Sequence, residues 1–227
     1  MNVHSHWPSM SLARVSTSTA PKRTADAERR AHIVAAAERA FVRFGFHATT
    51  MQQVADEAGM SAGNLYRYFP SKEAIVEGLC MADQVQRTEV FSELIGRLDL
   101  RQAFATTLRE HLLSRPTEKA RMIVEIWAEA GRNPRVAAIT AAVDADVLAG
   151  LTKVLHAVGA SGAAAGATLN PAFAAKVLFT LVGGLFKRLA LEPDFDREAA
   201  AAMALGVLEA LLAGALAPML GKTAEEI

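Results

Sequence analysis

The sequence predicts an all-α protein of about nine helices: a three-helix unit near the N-terminus, then a larger helical body. Three observations carry this. The 227 residues are 52% apolar but only 6% aromatic, and alanine and leucine dominate while strand-like runs of Val, Ile, Thr and Tyr are missing. Apolar residues recur at helical spacing through most of the chain. Pro116, residues 131–134 and the glycine- and alanine-rich stretch 159–170 break the periodic segments into helix-sized lengths. A chain of this size can bury a good core in one or two domains.

Residues 1–23 are rich in Ser, Thr, Pro and His and have no apolar period, so they are expected to form a disordered tail. His4 and His6 belong to it, and a solvated tail explains them better than a metal site. The first helix is expected over 24–44. Ile33, Ala37, Ala40, Phe41 and Phe44 mark its apolar face, with Arg29, Arg30, Arg39 and Arg43 off it. Those arginines solubilise the surface, or one or two touch an anion. Gly45 ends the helix.

The next stretch, TTMQQVADEAGMSAGNLYRYFPSK (49–72), organises the rest. Thr49 or Thr50 can cap a short helix, with Gln52 or Gln53 in capping-box spacing. Val54, Ala55 and Ala58 give that helix an apolar stripe, and Ala55 is small enough for a second helix to cross closely. Gly59 suits a sharp turn because glycine takes positive φ without steric cost. Ser61 caps a second short helix, whose inner face is plugged by Leu65 and Phe69. Ala62, Gly63, Asn64, Arg67 and Tyr68 are left outward or on the flanks. Pro70 ends the helix. Ser71 caps the next one, with Glu73 in its first turn.

Two short helices joined by a glycine turn form a helix-turn-helix, whose second helix enters the DNA major groove. Together with Phe44-Gly45-Phe46 upstream and Leu65-Tyr66, Tyr68-Phe69 and Ser71-Lys72-Glu73 downstream, the stretch resembles the DNA-binding domain of TetR-type transcriptional repressors. The resemblance covers about residues 25–78. It implies DNA contacts at Thr50, Ala62, Gly63, Asn64, Tyr66, Tyr68 and Lys72. Residue chemistry adds detail. Gly63 lets the backbone approach DNA closely, and Asn64 can bond bidentately to adenine. Tyr66 and Tyr68 suit phosphates, and Lys72 adds a charge at a helix N-terminus. Thr49 and Thr50 can both cap and contact a phosphate, Ser61 is a further candidate contact, and Arg67 can reach a guanine or a phosphate.

One long helix over 71–96 should link this reader to the body, with Ile75, Leu79, Ala82 and Val85 as its stripe. Body helices are expected near 99–114, 117–131, 133–158, 171–191 and 195–216. The organisation is therefore a tail (1–23), a helix-turn-helix domain (24–75), a ligand-binding and dimerisation domain (76–218) and a C-terminal tail (219–227). Residues 177–186 (VLFTLVGGLF) are apolar almost all round, and such a helix must be buried on more than one side. The last helix mixes small with large apolar residues. A two-fold four-helix interface would cover both, through Phe179, Gly183, Phe186, Met203, Val207, Ala210, Leu211 and Gly214. The resembled family dimerises through such a surface.

The resemblance also implies an effector pocket in the body, with ligand binding moving the long linking helix and so the spacing of two readers. Candidate lining residues are Phe104, His111, Met122, Trp127 and Phe179, each of which ordinary core packing would also explain. Few charges fall on the faces taken as inward, so a small apolar or aromatic effector is expected.

Composition limits the alternatives. The net charge is zero, so bulk charge does not announce nucleic acid. Residues 1–75 hold nine Lys/Arg against six Asp/Glu, a mild basic bias. The single cysteine, Cys80, excludes an intrachain disulfide and suits a reducing cytoplasm. No Glu-x-x-His pair or His-Glu-x-x-His motif exists, so neither a di-metal bundle nor a zinc hydrolase assembles. No cofactor and no membrane span are expected, since Glu209 interrupts the apolar stretch 199–220. The expected function is a homodimeric, ligand-responsive repressor with a DNA operator, itself and a small molecule as partners. A same-fold activator or an effector-independent regulator stays open, and an enzyme does not fit.

Overall fold

The computed structural model describes residues 21–161 and 170–214. Nine helices appear among the described residues: α1 Pro21–Phe44, α2 Met51–Glu57, α3 Ala62–Tyr68, α4 Lys72–Ile95, α5 Leu100–Ser114, α6 Thr117–Ala130, α7 Pro134–Ser161, α8 Pro171–Leu191 and α9 Arg197–Leu212. The first begins inside the stretch expected as a tail. Helix α7 continues to Ser161, into the expected loop. The rest of that tail (1–20), most of that loop (162–169) and everything after Gly214 lie outside the described residues.

Local chemistry sets the ends of the short helices. Thr50 caps α2: its hydroxyl accepts from the Gln53 N–H at 3.2 Å, while the Thr50 N–H donates to Gln53 Oε1 at 2.8 Å. Gly59, at φ +64°, then reverses the chain. The Met60 N–H reaches Ala55 O and the Gly59 N–H reaches Asp56 O, the paired bonds of a Schellman close. Ser61 caps α3 through the Asn64 N–H, and Ser71 caps α4 through the Ala74 N–H, each at 3.3 Å.

Packing makes one core of the reader and the neighbouring part of the body. Ile33, Ala37, Ala40, Phe41, Val54, Ala55, Leu65, Phe69 and Ile75 are buried together, and Met122, Ile126 and Val136 of α6 and α7 join them. Helix α4 comes close to α1 and α3 at Gly78, where a Cβ would lie 3.0 Å from both Phe69 and Val34 side-chain atoms. A second core holds α5, the end of α7, α8 and α9, around Phe104, Leu108, Leu155, Leu178 and Leu208. Phe44, expected on the apolar face of α1, is exposed beneath the Arg43 guanidinium. Among the described residues no helix is long and apolar enough to cross a membrane.

The inward stripe of α4 differs from the one expected. Ala82 and Val85 are exposed, Val85 at 60%. Beyond Leu79 the helix is exposed from Met81 to Gln86, and its packed side resumes at Val90 and Leu94. A long helix that leaves one core before reaching the next need not stay apolar between them.

Candidate nucleic-acid interface

The outer face is built by α3 and the turn before it. Ser61, Gly63, Tyr66 and Arg67 are exposed, and Ala62, Asn64 and Tyr68 are half-buried. Tyr66 is 50% exposed, and neither its hydroxyl nor the Asn64 amide is engaged by another described residue. Tyr68 is held from two sides: its hydroxyl lies 3.5 Å from Asp26 of α1 and 3.4 Å from Arg67 Nη2, and the Arg67 guanidinium sits over its ring at 5.2 Å. Arg30 of α1 stacks over Phe69 at 5.1 Å, which places a further cation beside the end of α3. Thr50 is exposed, with its hydroxyl committed to Gln53.

Two residues expected at this face are turned inward. Thr49 is only 2% exposed, and its hydroxyl donates to Gly45 O at 2.6 Å. It belongs to the corner after α1. Lys72 points back under the same corner. Its ammonium donates to Phe46 O at 2.8 Å and to His47 O and Thr49 O at 3.1 Å each, and it lies 4.6 Å from the Phe46 ring centroid. An ammonium has three protons, and three carbonyls take them. Burial draws the Lys72 pKa below its ordinary value, against the opposing pull of Glu129, Glu73 and Glu125.

The corner is also gripped from the body. Glu125 of α6 accepts from the Phe46 N–H at 2.5 Å. Asn133 donates to Glu73 at 3.1 Å, Arg132 lies 3.3 Å from His47, and Lys119 pairs with Glu38 of α1 at 2.5 Å. Gly45, at φ +82°, has the Glu125 carboxylate 3.2 Å from where a Cβ would stand. The body's side of this grip, Glu125, Lys119, Arg132 and Asn133, was not singled out in the sequence, since its partners are distant in the chain.

The residues expected to line an effector pocket are not brought together. Phe104 is buried in the second core and Met122 in the reader's core. Trp127 is exposed on α6, against Gly183 of α8. Phe179 is half-buried on α8. His111 stands apart from these four. Its ring lies 5.3 Å from that of Phe186 and 3.4 Å from an Arg115 nitrogen. The expected dimer residues divide as well. Phe186 and Leu211 are buried inside the chain's own core, so they cannot meet a partner. Gly183, Val207, Ala210 and Gly214 are half-buried, and Met203 is exposed at 44%. The outer groove between α8 and α9 is lined instead by Thr180, Leu181, Gly184, Lys187, Leu191 and Met203. Among the described residues no group of three or more His, Cys, Asp or Glu could hold a metal ion.

A glycine-turned pair of short helices with an exposed second helix defines a helix-turn-helix DNA-binding protein. The family description "Bacterial regulatory proteins, tetR family" matches residues 33–79, and "BetI-type transcriptional repressor, C-terminal" matches residues 96–213. The chain belongs to the TetR family of bacterial transcriptional regulators and is not an enzyme. It is 34% identical over 113 residues to the HTH-type transcriptional regulator UidR of Escherichia coli, across 48% of this chain and 56% of that protein. The match therefore spans little more than half of UidR. To RutR of Escherichia coli it is 44% identical over 66 residues, across 29% of this chain and 31% of that protein. The solved structure of Salmonella enterica GusR superposes with a TM-score of 0.64 at 27% identity, covering 80% of this chain and 96% of that one. Bacillus subtilis FadR, described in complex with stearoyl-CoA, superposes with a TM-score of 0.64 at 21% identity, covering 81% and 98%.

Proposed function

We propose that the protein is a homodimeric, ligand-responsive repressor. Helix α3 of each protomer reads one half of a two-fold operator, and a small effector bound in the body releases it. The observation that carries the reading is the exposed start of α3. Gly63 admits close backbone approach there, Asn64 is free to read a base edge, exposed Arg67 lies over the Tyr68 ring beside it, and Tyr66 is free to reach a phosphate. Thr50, Ser61, Ala62 and Tyr68 flank these as positioning or backbone contacts. Thr49 and Lys72 hold the corner behind them. Dimerisation is supported by the outer faces of α8 and α9, where Gly184, Leu191, Met203 and Gly206 leave apolar and small surface uncovered. The net charge of zero supports it too, because weak electrostatic attraction leaves one copy with little affinity and makes a second copy at fixed spacing valuable.

The test is selection of duplexes from a random pool by the full-length protein, followed by light scattering of the complex. The expected result is an inverted repeat with half-sites about one helical turn apart or a multiple of it, ~34–36 Å, occupied by an even number of protomers. Binding of a lone half-site by a monomer at equal affinity would overturn the dimeric reading. Recovery of no preferred sequence would overturn operator reading altogether.

A further inference from the structure

Helices α4 and α7 run side by side in the same direction, and polar bridges hold them together at intervals. Asn133, just before α7, donates to Glu73 at 3.1 Å, and Arg135 stands 3.6 Å from Glu77. Further along, Gln84 donates to Asp146 at 3.1 Å, and Arg87 pairs with the same carboxylate at 3.3 Å. Beyond these the helices touch: the Phe91 ring fills the space that a Cβ on Gly150 would need. Between the Glu77 and Asp146 bridges they do not close, and a groove of about 430 Å³ lies there. Short side chains are the reason. The row of α7 that faces α4 recurs at every fourth residue, and its first two members, Ala138 and Ala142, cannot fill the gap. Cys80 and Met81 of α4, with Ile139 and Val143 of α7, complete an apolar lining. Burial raises the half-buried Cys80 thiol to a pKa of about 11, so it stays neutral and adds to that surface.

The charges at the two ends are already matched, Glu77 with Arg135 and Asp146 with Arg87. An anionic ligand lying between them meets Glu77 and Asp146, and a cationic one meets Arg135 and Arg87. Either must draw a partner from an existing pair, whereas an uncharged ligand need not. One donor in the wall is unmet. Arg87 lines the groove with its side chain 24% exposed, yet its Nε is buried with no hydrogen-bond acceptor. A buried N–H without an acceptor is costly, and a small rotation of the guanidinium would turn it toward an oxygen in the groove. The volume also suits a small molecule, since ligand sites run from about 300 to 1,000 Å³, with mostly apolar walls and few polar groups. We infer that the groove between α4 and α7 binds an uncharged small molecule with an apolar body and one carbonyl-type oxygen, its body over Ala138 and Ala142 and its oxygen toward Arg87. The inference rests on the ligand-responsive reading above and gives that effector a site. The position suits control, because the Glu73–Asn133 and Glu77–Arg135 bridges lie at the start of α4, directly after the DNA-reading α3.

Cys80 is the chain's single cysteine and stands in the groove wall, so its alkylation in the full-length protein reports occupancy there. Three probes share one body: 4-phenyl-2-butanone, its carboxylate counterpart 3-phenylpropionate and its ammonium counterpart 4-phenyl-2-butanamine. A further ketone, 2-octanone, replaces the ring by a chain. Iodoacetamide labelling is followed by mass spectrometry, with the ligand-induced Tm shift alongside. The expected result is that one or both ketones at millimolar concentration slow labelling and raise Tm, while the carboxylate and the amine do neither. Ala142→Phe, at an exposed position, fills the groove and should weaken ketone binding by about tenfold or more. Arg87→Lys keeps a cation for Asp146 but has no Nε, and should weaken it by about twofold to tenfold. Each variant is referenced to its own unliganded labelling rate and Tm, so a loss of stability does not mask the result. No protection by either ketone, equal protection by the carboxylate or the amine, or undiminished ketone binding by Ala142→Phe would each overturn the inference. Undiminished binding by Arg87→Lys would overturn the placement of the oxygen. Release of the selected duplex is measured separately. A protein that binds its duplex but neither ketone refutes only the groove. One that binds a ketone in the groove but keeps its duplex refutes only the ligand-responsive repressor.

Discussion

Replacing Lys72 by methionine separates two roles that this residue could have at the foot of the reader. The substitution keeps an unbranched stem beside Phe46 and removes the ammonium that now donates to Phe46 O, His47 O and Thr49 O. A hydrogen bond to a charged group contributes about 1.5–3 kcal/mol, but the three bonds share one partly desolvated donor and do not add. The lowered pKa of Lys72 shows that its charge already carries a burial cost. The expected loss is therefore about 2–3 kcal/mol. For a chain of this length that is a fall in Tm of about 4–12 °C. The assay is thermal unfolding by circular dichroism, paired with DNA affinity over a range of salt. A lysine that clamps the corner leaves the slope of log K against log salt unchanged once binding is corrected to folded protein. A lysine that neutralises one phosphate reduces that slope by about one unit. An unchanged Tm with a reduced slope would refute the clamp.

Asn64→Ala should relax selectivity at one base pair, at a cost of about 1–3 kcal/mol; competition with single-position operator variants checks this, and equal losses on every duplex would count against base reading. His111→Gln should flatten part of the acid limb of the stability curve. The folded pKa of about 4 lies below the unfolded value of 6.5, so the unfolded chain takes up protons first, and this contribution, full above pH 6.5, is lost as pH falls toward 4. Asp83, raised by burial, works in the opposite sense; Arg115 and Arg87 face both groups, and Glu38 and Lys119 face Asp83. The difference between variant and parent is therefore the quantity to measure by denaturant titration. Met203→Glu, on the open face of α9, should shift light scattering toward monomer without lowering Tm at dilute concentration, and unchanged mass would place the interface elsewhere. Glu125→Gln keeps an acceptor for the Phe46 N–H but removes charge, so it should cost no more than about 1 kcal/mol. Glu125→Ala, which leaves that N–H without its acceptor, should cost about 1–3 kcal/mol, and equal denaturation midpoints for the two would refute the grip.

What could be read in the sequence was what short-range chemistry decides. Thr50 with Gln53, Gly59 before Ser61, and Ser71 before Glu73 fix helix ends within a few residues, and the helices begin and end close to where those residues place them. The carbonyl partners of Lys72 were not foreseen because Phe46, His47 and Thr49 come within reach only after α2 and α3 have folded between them. Ala82 and Val85 were placed on the packed side for the opposite reason. A strict apolar stripe assumes that a helix lies against core along its whole length, and α4 does so only at its two ends. Phe186 and Leu211 were assigned to an outer face because α8 is apolar almost all round and α9 nearly so. Periodicity cannot say which side of such a helix meets α5 and which meets a second copy. His111 was singled out, but the guanidinium beside it was not, since a lone arginine four residues on reads as solvated surface until Phe186 is placed beneath it.

The reader and the body cannot move independently, and α6 is the reason. Met122 and Ile126 complete the reader's apolar core from one side of that helix. Glu125, between them in sequence, holds the Phe46 N–H. Lys119, near its start, pairs with α1. Just past its far end, in the turn before α7, Asn133 holds Glu73 in the first turn of α4. Any displacement of α6 along its axis must therefore carry the corner that Lys72 and Glu125 clamp, and with it the start of α3, or else break a buried apolar contact and several hydrogen bonds together. The chain passes into this element directly from α5, with Arg115 as the C-cap of one helix and Pro116 as the N-cap of the next. That short covalent path and the continuous core give the body mechanical access to the DNA-reading helix, without any need for α4 to transmit the change alone.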